Sequence, residues 1–175
     1  VLNKNTKYKI LINGINKEIN NIKIDPNLNK IPQNKYKILF IGKLEEYKGI
    51  KEFVSAMYLL ENKYPKIFHA VIIGNGNESM WLKKTIKKNN SEKLFTVIDK
   101  INHEQIYHAH NNTNIYVSLN RYGNLSNVNL EAVYFNNCMI IPESNKTTGV
   151  DLETDTIIIK DSVIRIKLNN IDENL

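Results

Sequence analysis

"KILFIGKLEEYKGIKEFVSAMYLLENKYP", residues Lys37 to Pro65, decides the fold class of this chain. After Lys37, Ile38 to Ile41 are a continuous apolar run closed by Gly42, the pattern of a strand buried on both faces. Beyond the loop, Ile50, Phe53, Val54, Met57, Leu60 and Tyr64 recur at helical spacing, and Pro65 closes the run. A buried strand followed by a helix is half of a βαβ unit. The question is whether the next segment supplies the second strand.

It does, and the alternation continues. "FHAVIIG" (68–74), "LFTVI" (94–98), "NIYVSLN" (114–120) and "CMIIP" (138–142) read as short apolar strands. Between them, "NESMWLKKTIKKN" predicts a helix with Met80, Trp81 and Ile86 as inner residues. "HEQIYHAHNN" predicts a short polar helix, and "SNVNLEAVYF" (126–135) another. The fold class is α/β: a doubly wound, mostly parallel sheet with helices on both faces. The ends differ. "YKILINGI" reads as a strand and turn, and residues 14–35, punctuated by Pro26 and Pro32, as a loop or linker. The tail "DTIIIKDSVIRIKL" gives two adjacent β-type runs and no closing helix.

Composition sets limits on function. The 175 residues suit one domain with a real core, and 42% hydrophobic with 24% charged residues is ordinary for a globular protein. No apolar run approaches the roughly 18 residues of a membrane span. The start, Val1 to Lys9, has no secretory pattern, and the absence of an initial Met reads as a processed chain or a piece of a longer one. The net charge of +6 is carried almost wholly by lysine. It fits a solvated surface or an attraction to phosphates. Aromatic residues are not interleaved with basic clusters, which argues against nucleic acid. The lone Cys138 excludes a disulfide framework and reads as packing at the start of a buried strand.

In such a sheet a ligand lies at the carboxyl ends of the strands, so the loops after residues 42, 74, 98, 120 and 142 matter most. In the first, Gly42 permits close backbone approach, and Lys43 and Lys48 bracket a helix start where two ammonium groups would neutralise a diphosphate. They also read as surface lysines in a lysine-rich chain. "GNGNE" after the second strand is a tight turn or a weak phosphate loop, since Ser79 stands where a third glycine belongs. In "YGNLSNVNLEA" (Tyr122 to Ala132), Leu125, Ser126 and Asn127 fall at a helix N-terminus. Its amides lack intrahelical acceptors and favour an anion, unless Ser126 or Asn127 caps the helix. Glu131, one turn on, would repel phosphate but can accept two hydrogen bonds from a ribose diol; otherwise it is a solvent-facing helix residue. His103, His108 and His110 do not all share one helix face and lack completing ligands, so no metal site is expected there. "DLETD" (151–155) reads as a polar loop.

The order "ILFIGKL…KG", "VIIGNGNE", "IYVSL", "NLSNVNLEA", "MIIP" resembles the nucleotide-sugar-binding, C-terminal half of retaining glycosyltransferases of family 4, glycosyl transferases group 1, with the GT-B fold. The resemblance runs from Tyr36 to Pro142, and "YKILINGI" looks like the family's domain-crossover segment. It implies a crossover and linker from a missing N-terminal domain over 1–35, a Rossmann-like nucleotide-sugar-binding domain over 36–150 and a truncated β-rich tail over 151–175. Lys48 matches the lysine on the donor's diphosphate. Lys43 stands where arginine is usual, keeping the charge without the bidentate fork. Leu125, Ser126 and Asn127 match the amide-bearing turn, and Glu131 matches the ribose-binding second glutamate of the Glu-x7-Glu motif. Lys100 and Ile101 lie where backbone meets the nucleobase. The first glutamate of that motif falls at Gly123, a departure that puts the activity in doubt; Asp99 and Asn137 replace usual glycines.

The implied reaction moves a hexose from a UDP- or GDP-sugar to an acceptor hydroxyl with retention, in polysaccharide or glycolipid synthesis. It would need no metal and no cofactor beyond the nucleotide-sugar co-substrate, because fixed cations and amides stabilise the leaving diphosphate. A glycan or lipid-linked acceptor and the catalytic groups beside it would belong to the missing N-terminal half, so catalytic residues in this chain stay unknown and the chain alone is expected to bind donor without turnover. The implied setting is cytoplasmic, with peripheral association at the inner face of the cell membrane as a further hypothesis. Two alternatives stay open: a degenerate, non-catalytic nucleotide-binding or scaffold domain, and a GT-B sugar-nucleotide epimerase, which would need an acid–base carboxylate pair.

Overall fold

The computed structural model describes residues 24–144, 154, 157–158 and 163–168. Strands β1 (Tyr36–Ile41), β2 (Phe68–Ile73), β3 (Phe95–Ile98), β4 (Ile115–Val117), β5 (Cys138–Pro142) and β6 (Ile164–Ile166) form one sheet in the order β3-β2-β1-β4-β5-β6. Every pairing is parallel. The helices are α1 (Ile50–Lys63), α2 (Ser79–Lys88), α3 (His103–Asn111) and α4 (Asn127–Tyr134). This is the expected α/β, Rossmann-like, doubly wound arrangement.

The strands are apolar throughout because both faces are covered. Successive residues of β1 and β2 point to opposite sides. Ile38, Phe40, Ala70 and Ile72 enter a cluster with Phe53, Val54 and Met57 of α1 and Leu82 and Ile86 of α2. Leu39, Val71 and Ile73 enter a second cluster with Tyr116, Met139 and Ile141, Ala109 of α3 and Ala132 of α4. A short 3-10 turn, Leu28–Lys30, lies in the stretch expected as a loop, and buries Leu28 and Ile31 in that second cluster.

Some expectations need correction. Met80 is 67% exposed. It lies two residues from Leu82, about 200° around the helix, so the pair Leu82 and Ile86 takes the inner face instead. Tyr64 is also exposed, since it terminates α1 and lies past the last buried turn. Cys138 is exposed: it is the first residue of β5, where the strand leaves the surface. The left-handed residue before β5 is Asn136, φ 54, one position ahead of the one the resemblance marks for glycine. In the tail, β6 is a strand, but the Ile158 amide donates to the Thr154 carbonyl at 2.8 Å, a helical bond where a β-type run was expected. The "YKILINGI" segment lies outside the described residues, as does the acidic run 151–155 except for Thr154.

Candidate functional site

The strand order supplies what the sequence could not. From β1 the chain winds outward to β2 and β3, then returns to place β4 on the other side of β1. The crossovers on either side of β1 and β4 therefore leave in opposite directions. A crevice opens between their carboxyl ends, the general location of ligands in open α/β sheets. A cavity of about 310 Å³ occupies it, lined by Gly42, Lys43, Tyr47 and Lys48 from the loop after β1 and by Ser118, Leu119, Asn120, Ser126 and Val128 from the segment after β4.

Gly49 brings the two loops together. Its φ of 77 is left-handed, and an added Cβ would lie 2.4 Å from Leu119 Cβ. Only a glycine lets the start of α1 approach the β4 loop this closely. The Arg121 amide donates to the Tyr47 carbonyl at 3.1 Å, and the Arg121 guanidinium donates to Glu52 Oε1 of α1 at 2.7 Å. Tyr47 and Tyr122 pack ring to ring at 5.4 Å.

Lys48 precedes Gly49 and is therefore held at the cavity wall. Its ammonium lies 5.2 Å from the Tyr47 ring centroid, a cation–π contact. Burial, and then the like charge of Lys43, pull its pKa below the ordinary lysine value. The partly desolvated Lys48 ammonium, set beside the like charge of the exposed Lys43, is stabilised by an anion placed between them.

Across the cavity, Ser126 caps α4. Its hydroxyl accepts from the Asn129 amide at 3.3 Å, which leaves the Asn127 and Val128 amides without an intrahelical acceptor at the positive end of the helix. The turn before it is braced by amide side chains. Asn120 donates to the Gly123 carbonyl, Asn124 donates to the Asn120 carbonyl at 3.3 Å, and the buried Asn129 donates to the Asn124 carbonyl. Tyr116 donates to Asn129 Oδ1 at 2.8 Å from the floor of the cavity. Gly123 has φ 117, a conformation L side chains rarely adopt.

The structure brings Gly42, Lys43, Lys48 and Ser126 together around one cavity. Leu125 and Asn127 flank Ser126 in the same turn without lining it. Lys100 is exposed and Ile101 half-buried in the loop after β3, outside the cavity lining. Glu131 is not solvent-facing: it is 1% exposed, and its Oε1 accepts from His103 Nε2 at 3.0 Å. Burial raises its pKa, and His103 opposes that rise. His103 and His110 lie seven residues apart, two turns along one face of α3, and both reach Glu131. That spacing was the signal in the sequence for a role outside metal binding. Among the described residues, no group of three or more metal-ligating side chains assembles. No described helix is long and apolar enough to cross a membrane.

The sequence model of the family described as Glycosyl transferases group 1 matches residues 21–149, most of the chain. The chain belongs to that family. The fold of this glycosyltransferase domain agrees with solved structures of GT-B glycosyltransferases. The C-terminal domain of a glycosyl transferase group 1 family protein from Francisella tularensis superposes with TM-score 0.64 at 23% identity, covering 79% of this chain and 70% of that one. A pneumococcal O-GlcNAc transferase, solved in complex with UDP and GlcNAc, superposes with TM-score 0.59 at 17% identity over 81% of this chain and 26% of its own. Sucrose-phosphate synthase from Thermosynechococcus elongatus gives 0.64 at 20% identity, over 80% of this chain and 34% of its own. The chain thus spans about a third or less of these two enzymes' length. No curated protein matches it.

Proposed function

We propose that this glycosyltransferase domain binds the nucleoside diphosphate of a nucleotide-sugar donor in the cavity between β1 and β4. The observation that carries the reading is the convergence of Lys43, Lys48 and the amide end of α4 on one cavity at the switch point of the sheet. The lysines and the α4 amides take the phosphates. Glu131, from the next turn of the same helix, takes the ribose diol once His103 yields its oxygen. The loop at Lys100 and Ile101 takes the base. In the full-length protein the domain serves retaining transfer of a hexose from a UDP- or GDP-sugar to an acceptor hydroxyl. Charge accumulating on the leaving diphosphate meets cations and helix amides already in place, the electrostatic preorganisation that lowers such a barrier without a metal. The acceptor, a glycan or lipid-linked sugar, is supplied by a further domain. The complex of the pneumococcal transferase with UDP supports a uridine donor.

A second reading, nucleotide binding without transfer, is favoured by Gly123. The resemblance places the glutamate that contacts the transferred sugar there, and φ 117 is strained for any L side chain. Calorimetric titration with UDP and GDP tests the binding common to both readings. Micromolar to millimolar binding of one nucleotide, weakened tenfold or more in Lys48→Ala, supports donor binding, and no binding to either by the folded chain contradicts it. Hydrolysis or transfer from a radiolabelled UDP- or GDP-sugar by the full-length protein separates the two readings.

A further inference from the structure

Asn137 fixes the tautomer of His110. The Asn137 amide nitrogen donates to the carbonyls of His110 at 2.9 Å and of Thr113 at 3.2 Å, so its Oδ1 is the acceptor end. His110 Nδ1 lies 2.7 Å from that oxygen and must carry the hydrogen. Burial pushes the His110 pKa down to about 4, which keeps the ring neutral at neutral pH. Nε2 is therefore a bare lone pair. It is buried, has no hydrogen-bond partner among the described residues, and lies 4.0 Å from Glu131 Oε2, which is buried and without a hydrogen-bond partner as well. An ionised Glu131 would set two acceptors against each other away from water, the most costly way to leave polar atoms. A single proton resolves the conflict, and a closure of about 1 Å gives an ordinary O–H···N bond.

We propose that in the unliganded domain Glu131 is a carboxylic acid whose Oε2–H is directed at His110 Nε2, with Asn137 as the positioning residue that enforces it. The titratable groups facing the carboxyl are His103 and His110 of α3 and Tyr116 of β4, whose hydroxyl is already committed to Asn129. His103 occupies the other oxygen, Oε1. The buried environment that raises the Glu131 pKa acts in the same direction. A consequence follows that rests on the proposed reading of Glu131 as the diol acceptor. A carboxylate that accepts both ribose hydroxyls has no room for this proton, so donor binding displaces His103 and releases the proton from Oε2 to solvent.

Infrared difference spectroscopy between the wild-type chain and Glu131→Gln at neutral pH tests the first claim without any ligand. The amide that this substitution introduces can donate to Nε2 in place of the acid, so the variant is expected to fold. The wild type should show a protonated carboxyl band that the variant lacks, and nitrogen NMR of His110 should show a hydrogen on Nδ1 alone. Asn137→Ala frees the ring to turn its hydrogen to Nε2 and donate to a carboxylate, so the band should vanish there. A carboxylate band only, or a wild-type His110 bearing hydrogen on Nε2, overturns the proposal, and the NMR result decides if the variants do not fold. Titration with UDP in two buffers of different ionisation heat tests the coupling. Release approaching one proton per UDP supports it, and binding with no release overturns it. Absence of binding by both UDP and GDP overturns the diol reading and the coupling with it, while the infrared result still decides the protonation; if GDP alone binds, the two-buffer titration is read with GDP.

Discussion

Gly74→Ala should loosen the sheet at the point where the cavity begins. Gly74 follows β2 with φ 143, and a Cβ there would stand 1.8 Å from the Gly42 carbonyl oxygen and 2.9 Å from its carbon. Restoring ordinary contact requires the two loops to part by about 1.5 Å. Both are backbone, so no side chain can swing aside. The Gly42 amide donates to the Ile73 carbonyl at 3.0 Å, and the Gly74 amide to the Ile98 carbonyl at 2.9 Å. Losing one of these bonds costs about 0.5–1.5 kcal/mol, and forcing alanine into this backbone region adds about 1–3 kcal/mol. The sum, about 1.5–4.5 kcal/mol, corresponds to a fall in Tm of about 3–18 °C for a chain of this size. Urea unfolding followed by circular dichroism reads the change as a lower midpoint with an unchanged slope. Lys84→Ala, at an exposed position of α2, is the control. The cavity wall contains Gly42, so any folded fraction of Gly74→Ala should also bind nucleotide more weakly. A Gly74→Ala variant within about 0.5 kcal/mol of wild type would refute the close packing of these loops.

Three further outcomes are expected. Lys48→Ala should weaken nucleoside diphosphate binding by about 10- to 150-fold, the range for one charge-assisted hydrogen bond of about 1.5–3 kcal/mol, while leaving the unfolding midpoint nearly unchanged; equal affinity by calorimetry would remove Lys48 from the site. Arg121→Ala should cost about 1–3 kcal/mol, because it strands Glu52, whose Oε2 already lacks a hydrogen-bond partner among the described residues. A double-mutant cycle with Glu52→Gln should show coupling, and strict additivity would count against the clasp. Stability should fall on acidification. His69 and His110 have folded pKa values near 4 against an ordinary 6.5, mainly through burial, so the folded state refuses protons that the unfolded chain accepts. Their contribution is complete above pH 6.5 and is lost as the pH falls from there towards 4. At about 1.4 kcal/mol per unit, His110 alone accounts for up to about 3.5 kcal/mol. Glu131, with its raised pKa, opposes part of that loss. Denaturant midpoints that are flat or rising between pH 6.5 and 4 would contradict the assignment.

The strands were legible because each is a short apolar run between polar loops, and a run such as "KILFI" has no face that tolerates water. Helix α1 was legible from Ile50, Phe53, Val54 and Met57, which are the residues buried in the structure. On α2 periodicity misled only for Met80, which is exposed, while Ile86 is buried in the core cluster and the half-buried Trp81 packs against it. From the residue pattern alone the cavity was legible only as a set of five loops, and the family resemblance was what singled out those carrying Lys48 and Ser126. Which two of them meet depends on strand order, a long-range property that no local pattern carries, and the β1–β4 pairing selects the loops after Gly42 and Asn120. The environment of Glu131 was the least accessible. Its burial depends on α3 crossing α4, and its proton on an amide oxygen of Asn137 contributed from beside β5.

The most direct test of donor binding at the switch point is a map of backbone amide shifts on adding UDP or GDP to the labelled chain. Binding in the cavity between β1 and β4 should move Gly42, Lys48, Ser126, Asn127 and Val128 in a saturable, concerted way while the exposed face of α2 stays still. Shifts confined to the lysine-rich surface of α2, or spread evenly and abolished by salt, would mean that the chain attracts phosphates through its net charge alone and that the cavity is not a donor site.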